Sequence, residues 1–198
     1  MSIYSLKSRF QGLLRPLVRG LHRVGVTANQ VTVAACAVSV AIGAVLIAAP
    51  RVWFAILPLW MLLRMALNAV DGMLAREFGQ KSALGAYLNE VTDIVSDAAL
   101  YLPFAFVPPF DWRSVGAVIF AAAVSEMTGV VAVMTGASRR YDGPMGKSDR
   151  AFVFSLLAIW IVMTDTLPAW AAWMMWVVAL AVVVTIVNRV RAGLKEIR

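Results

Sequence analysis

The chain has 198 residues, of which 61% are hydrophobic and only 15% are charged. This composition excludes an ordinary soluble domain and predicts an all-α integral membrane protein. The net charge of +7 would suggest nucleic acid in a soluble chain. In a membrane protein it is explained by topology and anionic lipid, so no nucleic-acid partner is expected. The single cysteine, Cys36, excludes a disulfide or thiolate-metal framework.

The N-terminal segment, residues 1–24, predicts an amphipathic helix on the membrane surface. Apolar residues recur at helical spacing from Ile3 to Leu21, and lysine and arginine side chains occupy the opposite face. Such a helix binds an anionic leaflet. A plain basic tail that only sets the membrane orientation is the alternative. The membrane domain is then predicted to cover residues 25–198.

Six apolar segments of this domain are predicted to cross the membrane. They cover approximately residues 29–49, 52–76, 83–107, 112–136, 149–166 and 168–190. Thr27 or Asn29 is expected to cap the first of them. Of the loop lysines and arginines, only Arg51 and Arg113 fall on one side of these spans. Both termini are therefore expected in the cytoplasm, at the cytoplasmic (inner) membrane.

Polar side chains are concentrated on the second and third predicted spans. One helical face carries Asn68, Asp71, Gly72, Ala75 and Arg76, and the next helix carries Gly85, Asn89, Asp93 and Asp97 at intervals of four. Two such stripes, joined by a short turn, can face each other. Carboxylate and amide oxygens suit Mg²⁺, Mn²⁺ or Ca²⁺, and arginine suits phosphate. The stripes therefore predict metal-assisted chemistry on a phosphate or diphosphate.

Cation or proton transport is an alternative for these residues, because intramembrane acids also mark ion paths. The sequence contains no repeated half with broken helices, which disfavours a transporter.

The same stretch resembles the motif of the CDP-alcohol phosphotransferases, D-x2-D-G-x2-A-R-x8-G-x3-D-x3-D. Every spacing agrees, and the two departures are Asn68 and Asn89, which stand where the motif has aspartate. Three shorter stretches also resemble the family. They are Thr27-Ala28-Asn29 with Thr32 (T-P-N-x-x-T), Gly146-Lys147 with Arg150 (G-K-x-K-T), and Glu126, which resembles the glutamate of an R-E pair.

The resemblance implies a transferase of phospholipid synthesis. It would move a phosphatidyl group from a CDP-linked lipid such as CDP-diacylglycerol to an alcohol and release CMP, with one or two Mg²⁺ or Mn²⁺ ions. The implied metal ligands are Asn68, Asp71, Asn89 and Asp93, the implied CDP-binding residues are Gly72, Ala75, Arg76 and Gly85, and the implied catalytic residues are Asp71 and Asp93. Asp93 would be the general base. The family also implies a homodimer.

The two asparagines weaken this prediction, because each removes a negative charge from the site. A unit charge at about 4 Å is worth about 4 kcal/mol at an effective dielectric of about 20. We therefore expect one tightly bound cation or a shifted pair, with Glu90 and Asp97 as possible compensating acids. The alternative is a catalytically silent relative that binds CDP-lipid or scaffolds lipid enzymes.

The loop before the fifth span is the remaining candidate binding region. Arg139, Arg140, Lys147 and Arg150 predict a phosphate pocket for the acceptor, such as glycerol 3-phosphate or an inositol phosphate. Lipid headgroups would fit it equally well, and an ordinary positive loop is the alternative. Arg64, inside the second span, is expected to form an internal ion pair with Asp97 or Asp93, or to contact a headgroup.

Overall fold

The computed structural model describes residues 3–197, with side chains from residue 10 onward, and contains no strand in that range. Its α-helices in chain order are α1 (Ile3–Arg23), α2 (Ala28–Ala48), α3 (Ile56–Glu77), α4 (Ala83–Tyr101), α5 (Trp112–Met134), α6 (Lys147–Met163) and α7 (Ala172–Glu196). Short 3-10 segments cover Arg51–Ala55, Leu102–Phe106 and Ala169–Ala171. The all-α prediction is confirmed.

Four helical segments are long and apolar enough to cross a membrane. They are Ala28–Ala48, Arg51–Glu77, Trp112–Met134 and Ala169–Glu196. The segment α4 is not among them and carries Glu90, Asp93 and Asp97, whereas α6 has only 17 residues. The total of six spans therefore stays a prediction.

The end of α4 differs from the prediction, which extended this helix to residue 107. The helix ends at Tyr101, because Pro103 has no N–H to bond the carbonyl of Ala99. Gly43 of α2 lies against this carbonyl so closely that a Cβ at that position would overlap it. The close approach packs α2 against α4 and places the polar stripe of α4 beside α2 and α3.

Side-chain caps fix the helix ends around this stripe. Thr27 caps α2 in a capping box with Gln30, as one of the two predicted alternatives. Ser82 caps α4 by accepting a hydrogen bond from the N–H of Gly85 at 2.9 Å. Between α3 and α4, Gly79 adopts a left-handed φ of 67°, which permits the tight turn. The two polar helices are thus consecutive, and both pack against α2.

The apolar core lies away from the polar stripes. Tyr101 stacks on Phe154 with ring centroids 3.9 Å apart, and α5 packs against α7 while α3 packs against α6.

The helix α1 packs on α3, with Val18 buried and Arg15 bonded to Glu77 at 3.1 Å. Its side chains at Leu13 and Leu17 are exposed. The structure does not describe the side chains of the first turns of α1, which include the predicted basic residues Lys7 and Arg9. The location of α1 on the membrane surface therefore stays a prediction.

Candidate active site

A cleft of about 800 Å³ lies between α2, α3, α4, the loop before α6 and the end of α7. The residues at all eight specified positions of the motif line it: Asn68, Asp71, Gly72, Ala75, Arg76, Gly85, Asn89 and Asp93. Arg139, Tyr141, Lys147 and Arg189 line the same cleft. The predicted facing of the two stripes is therefore present, because helical periodicity and a short turn bring them together.

Asp71 is held by a threonine of α2. The hydroxyl of Thr32 donates to Asp71 Oδ2 at 2.8 Å, closer than its second neighbour, the carbonyl of Ala28 at 3.1 Å. The Asp71 side chain is buried although it lines the cleft. This hydrogen bond orients one carboxylate oxygen and leaves the other for a ligand.

Asp93 is surrounded by donors on a single oxygen. Lys147 Nζ lies 2.5 Å from Asp93 Oδ1, Arg64 Nη2 lies 3.3 Å from it, and Asn68 Nδ2 lies 3.5 Å from it. Arg64 also donates to the backbone carbonyl of Asp93 at 3.1 Å. The expected internal ion pair of Arg64 is confirmed, and it fixes the position of the Asp93 carboxylate.

Two glycines give the cleft its space. A Cβ on Gly85 would lie 2.9 Å from Oδ1 of Asn29, and a Cβ on Gly72 would lie 3.0 Å from the guanidinium of Arg76. Either side chain would displace a polar group that lines the cleft. Arg76 itself is exposed at the cleft surface, where an anion can reach it.

Asp97, one of the two acids suggested to compensate for the asparagines, is bound by two arginines. Its Oδ1 accepts from Arg64 at 2.5 Å and its Oδ2 accepts from Arg150 at 2.9 Å. The side chain is 5% exposed and is not part of the cleft lining. Both oxygens are occupied by buried arginines, so the geometry gives no support to the suggestion that Asp97 supplies charge to a metal site.

Glu90 is also engaged elsewhere, since both of its oxygens accept hydrogen bonds from Arg139. Nearby, Glu126 on α5 accepts from Arg150 at 3.0 Å and lies 3.6 Å from Arg189. The R-E pair has an arginine next to the glutamate, where this chain has Ser125. Arg150 and Arg189, from distant parts of the chain, are the partners of Glu126 instead. The acid and arginine side chains form one continuous network, which reaches the cleft lining at Glu126, Arg139 and Arg189 and is buried at Asp97 and Arg150.

Two of the four residues predicted for the phosphate pocket lie outside the cleft lining. Arg150 is completely buried in the network with Asp97 and Glu126. Arg140 bonds Asp142 and Glu196 at the surface, where its guanidinium holds the pKa of Asp142 below the usual range by hydrogen bonding. Arg139 and Lys147 do line the cleft, so the predicted basic pocket is smaller than expected.

Sequence reasoning missed the roles of Thr32 and Arg189. Thr32 already belonged to the stretch that resembles the family's entry to the first span, which was the available signal. Arg189 lines the cleft, is buried and bonds the carbonyl of Ser125 at 2.5 Å. The available signal was its spacing, because it lies one helical turn after the buried Thr185 and thus on the inner face of α7.

The cleft offers oxygen ligands suited to a hard divalent cation. Within the described residues, no three Asp, Glu, His or Cys side chains are grouped closely enough to hold a metal ion by themselves. Two carboxylates, Asp71 and Asp93, and two amides, Asn68 and Asn89, nevertheless line one wall. This donor set fits a single divalent cation whose coordination is completed by water or phosphate oxygens.

Comparison with known proteins agrees with this arrangement. The sequence model of the CDP-alcohol phosphatidyltransferases matches residues 25–187. The chain belongs to the CDP-alcohol phosphatidyltransferase family. It is thus a membrane protein of a transferase family of phospholipid biosynthesis, as the motif predicted. A relative from Escherichia coli strain K12, inner membrane protein YnbA, is 43% identical over 198 residues, which cover 98% of this chain and 97% of the relative.

A second CDP-alcohol phosphatidyltransferase relative has known structures. The phosphatidylinositol phosphate synthase of Mycobacterium tuberculosis strain H37Rv is 27% identical over 190 residues, covering 92% of this chain and 86% of the relative. Its crystal structure with CDP-DAG bound has a TM-score of 0.72 at 25% identity, covering 90% of this chain and 92% of that chain. A structure of the same enzyme with manganese and citrate has a TM-score of 0.72 at 24% identity, covering 90% and 87%, and shows the same fold.

Proposed function

We propose that the chain transfers the phosphatidyl group of a CDP-linked lipid, with CDP-diacylglycerol as the first candidate, to an acceptor alcohol and releases CMP. One observation carries the proposal. The oxygen ligands of α3 and α4 face the basic side chains of Arg139, Lys147 and Arg189 across a single cleft. The first group suits a divalent cation and the second suits phosphate, so a diphosphate matches both. The M. tuberculosis relative was crystallised with CDP-DAG, which supports this donor.

The donor would bind along α3 and α4. Arg76 offers an exposed guanidinium to a phosphate, and Gly72 leaves the space that this guanidinium occupies. Gly85 keeps the cleft open beside Asn29, and Ala75 adds little bulk at the same wall. These observations support Gly72, Ala75, Arg76 and Gly85 as the residues that contact the CDP part of the donor.

In the proposed reaction, the acceptor oxygen forms a bond to the β-phosphorus, the bond from that phosphorus to the bridging oxygen breaks, and CMP leaves. Asp93 takes the hydroxyl proton. Its side-chain contacts within the described residues all use Oδ1, so Oδ2 is the oxygen that accepts the proton. Lys147 and Arg64 hold the carboxylate in place while it does so. Positioning of two reactants in one cleft supplies much of the rate enhancement.

A divalent cation, Mg²⁺ or Mn²⁺, would stabilise negative charge on the diphosphate and on the leaving CMP. Asp71, with the amide oxygens of Asn68 and Asn89, would hold it, and Asp93 would add its negative charge beside the ion. Thr32 fixes the orientation of Asp71 through the 2.8 Å hydrogen bond, which supports Asp71 as the principal ligand.

The acceptor is proposed to carry a phosphate of its own. Arg139, Lys147 and Arg189 line the wall opposite the proposed donor site, and basic side chains at that wall suit a second phosphate. Glycerol 3-phosphate and an inositol phosphate are the first acceptors to test, and the second is favoured by the name of the M. tuberculosis relative.

The cleft is proposed to open to the cytoplasmic side of the inner membrane, with both termini on that side. The distribution of lysine and arginine supports this orientation, and the E. coli relative is described as an inner membrane protein. A homodimer remains an expectation from the family.

A catalytically silent lipid-binding protein is the second candidate, favoured by the two asparagines and by the Lys147 contact on Asp93. Release of CMP from CDP-diacylglycerol in proteoliposomes, with Mn²⁺ and a panel of acceptors, separates the two. We expect turnover in the parent and a loss of about a hundredfold or more in Asp93→Asn, because the general base is removed.

The matched control is Asp142→Asn, which makes the same chemical change outside the cleft and is expected to keep the parental rate. Binding of CDP-diacylglycerol without CMP release, with every acceptor tested, would leave the silent relative as the correct description.

A further inference from the structure

The proposed metal-binding residues, Asn68, Asp71, Asn89 and Asp93, carry less negative charge than the motif that they resemble. Four aspartates would carry four negative charges, whereas the same positions here carry two, because Asn68 and Asn89 are neutral. Glu90 and Asp97 are committed to arginines and do not restore the difference. A wall with two carboxylates attracts divalent cations far less strongly than one with four.

One of these two carboxylates already has a cation. Lys147 Nζ lies 2.5 Å from Asp93 Oδ1, a distance typical of a charge-assisted hydrogen bond. With Arg64 and Asn68 on the same oxygen, Asp93 Oδ1 has little capacity left to coordinate a metal ion. The ammonium group therefore stands where a positive ion would otherwise bind this oxygen.

Lys147 is held in this position by its surroundings. The N–H of Met145 donates to Thr185 Oγ1 at 2.9 Å, which pins the preceding loop to α7. On the following turn of α6, Arg150 is buried in the ion-pair network. The Lys147 side chain is only 22% exposed, unlike that of Lys81, which lines the same cleft but is exposed. The packing around Lys147 thus restricts its side chain to this position, whereas an exposed lysine can adopt many conformations.

We propose that the ammonium group of Lys147 takes the place of a second divalent cation in this cleft, so that the chain binds one divalent cation rather than two. This inference rests on the proposed function only in that the cleft takes a divalent cation together with a diphosphate. One divalent ion and Lys147 already carry more positive charge than Asp71 and Asp93 carry negative charge. A bound diphosphate adds negative charge and restores some attraction for a second ion. That ion would still be repelled by the first ion and by Lys147, and it would find Asp93 Oδ1 already occupied.

The test is the number of Mn²⁺ ions bound per chain by the full-length protein in detergent with saturating CDP, measured by electron paramagnetic resonance of free Mn²⁺ and by calorimetry. The parent is expected to bind one ion. Lys147→Gln is expected to bind Mn²⁺ about tenfold more tightly or to take up a second ion, because a nearby like charge is removed. Lys81→Gln removes the same charge elsewhere in the cleft and is expected to change the affinity less than threefold.

A second set of variants tests occupancy directly. In Asn68→Asp/Asn89→Asp, the second ion is expected to bind about tenfold more weakly than in the same double variant that also carries Lys147→Gln. Lys147→Arg, which keeps the positive charge, is expected to bind one ion as the parent does. If a variant does not fold, the number of Mn²⁺ ions bound by the parent still tests the inference.

The outcomes separate this inference from the proposed function. Two ions bound by the parent, or equal effects of Lys147→Gln and Lys81→Gln, would overturn the inference and leave the transferase proposal intact. One ion with the expected variant effects, but no CMP release from CDP-diacylglycerol, would support the inference and overturn the transferase. Absence of Mn²⁺ binding by the parent would overturn both.

Discussion

Asp97→Asn tests whether the buried ion network beneath the cleft is a structural anchor. The carboxylate of Asp97 is 5% exposed and joins Arg64 to Arg150. Removing one partner of a buried ion pair usually costs about 3–5 kcal/mol, because the remaining charge is left uncompensated. Here Arg64 keeps Asp93 and Arg150 keeps Glu126, so we expect the lower end, about 3 kcal/mol.

For a chain of this size, about 3 kcal/mol corresponds to a fall of roughly 6–12 °C in the midpoint of thermal unfolding. The assay is thermal unfolding of the detergent-solubilised protein, followed by fluorescence-detected gel filtration. The control is Asp142→Asn, which breaks an ion pair whose acid side chain is 40% exposed and should cost less than about 1 kcal/mol.

Because Asp97 lies outside the cleft, its replacement should also leave the number of bound Mn²⁺ ions unchanged. A midpoint within about 3 °C of the parent, or a lost Mn²⁺ ion, would refute the structural assignment of Asp97.

Two further substitutions test the geometry of the cleft. Gly85→Ala places a Cβ 2.9 Å from Asn29 Oδ1. This contact should cost of the order of 1–2 kcal/mol, so calorimetry should show the affinity for CDP reduced by about tenfold. The control is Gly116→Ala, because a Cβ at that position meets open space. Thr32→Val removes the hydroxyl that orients Asp71 and should weaken Mn²⁺ binding by about tenfold, as loss of such a supporting hydrogen bond commonly does. Thr32→Ser keeps a hydroxyl and should bind Mn²⁺ as the parent does. Equal Mn²⁺ binding by both variants would contradict the role assigned to Thr32.

The helical register of the motif was predictable from the sequence. Spacings of three, four and eight residues determine which side chains share a helix face, and a short glycine-containing turn forces consecutive helices to be neighbours. This is why Asn68, Asp71, Asn89 and Asp93 line one cleft as expected. The pairing of Arg64 with Asp97 was expected. The pairing of Arg150 with Asp97 and that of Arg139 with Glu90 were not predictable in the same way, because these arginines come from α6 and from the loop after α5. Such long-range pairings depend on how the helices pack, which periodicity does not report.

The helix ends were also predictable where local sequence determines them, and not where contacts between distant helices do. Thr27 at the start of α2 follows from local capping chemistry and was one of two expected alternatives. The early end of α4 also has a local signal in Pro103, which the apolar continuation to residue 107 obscured. The role of Gly43 against Ala99 depends on the contact between two helices and has no counterpart in local sequence. The missed role of Arg189 has a similar origin, because α7 reaches the cleft only through its packing on α5.

Equilibrium binding of CDP is the most direct measurement of the central claim, which is that one cation between α3 and α4 holds the paired phosphates of a nucleotide. Calorimetry in detergent, with Mn²⁺ and with a chelator, should show binding that requires the ion. The combined Asp71→Asn/Asp93→Asn variant should lose it, whereas Asp142→Asn should retain it. Binding of equal strength in the chelator, or in the double variant, would contradict the account.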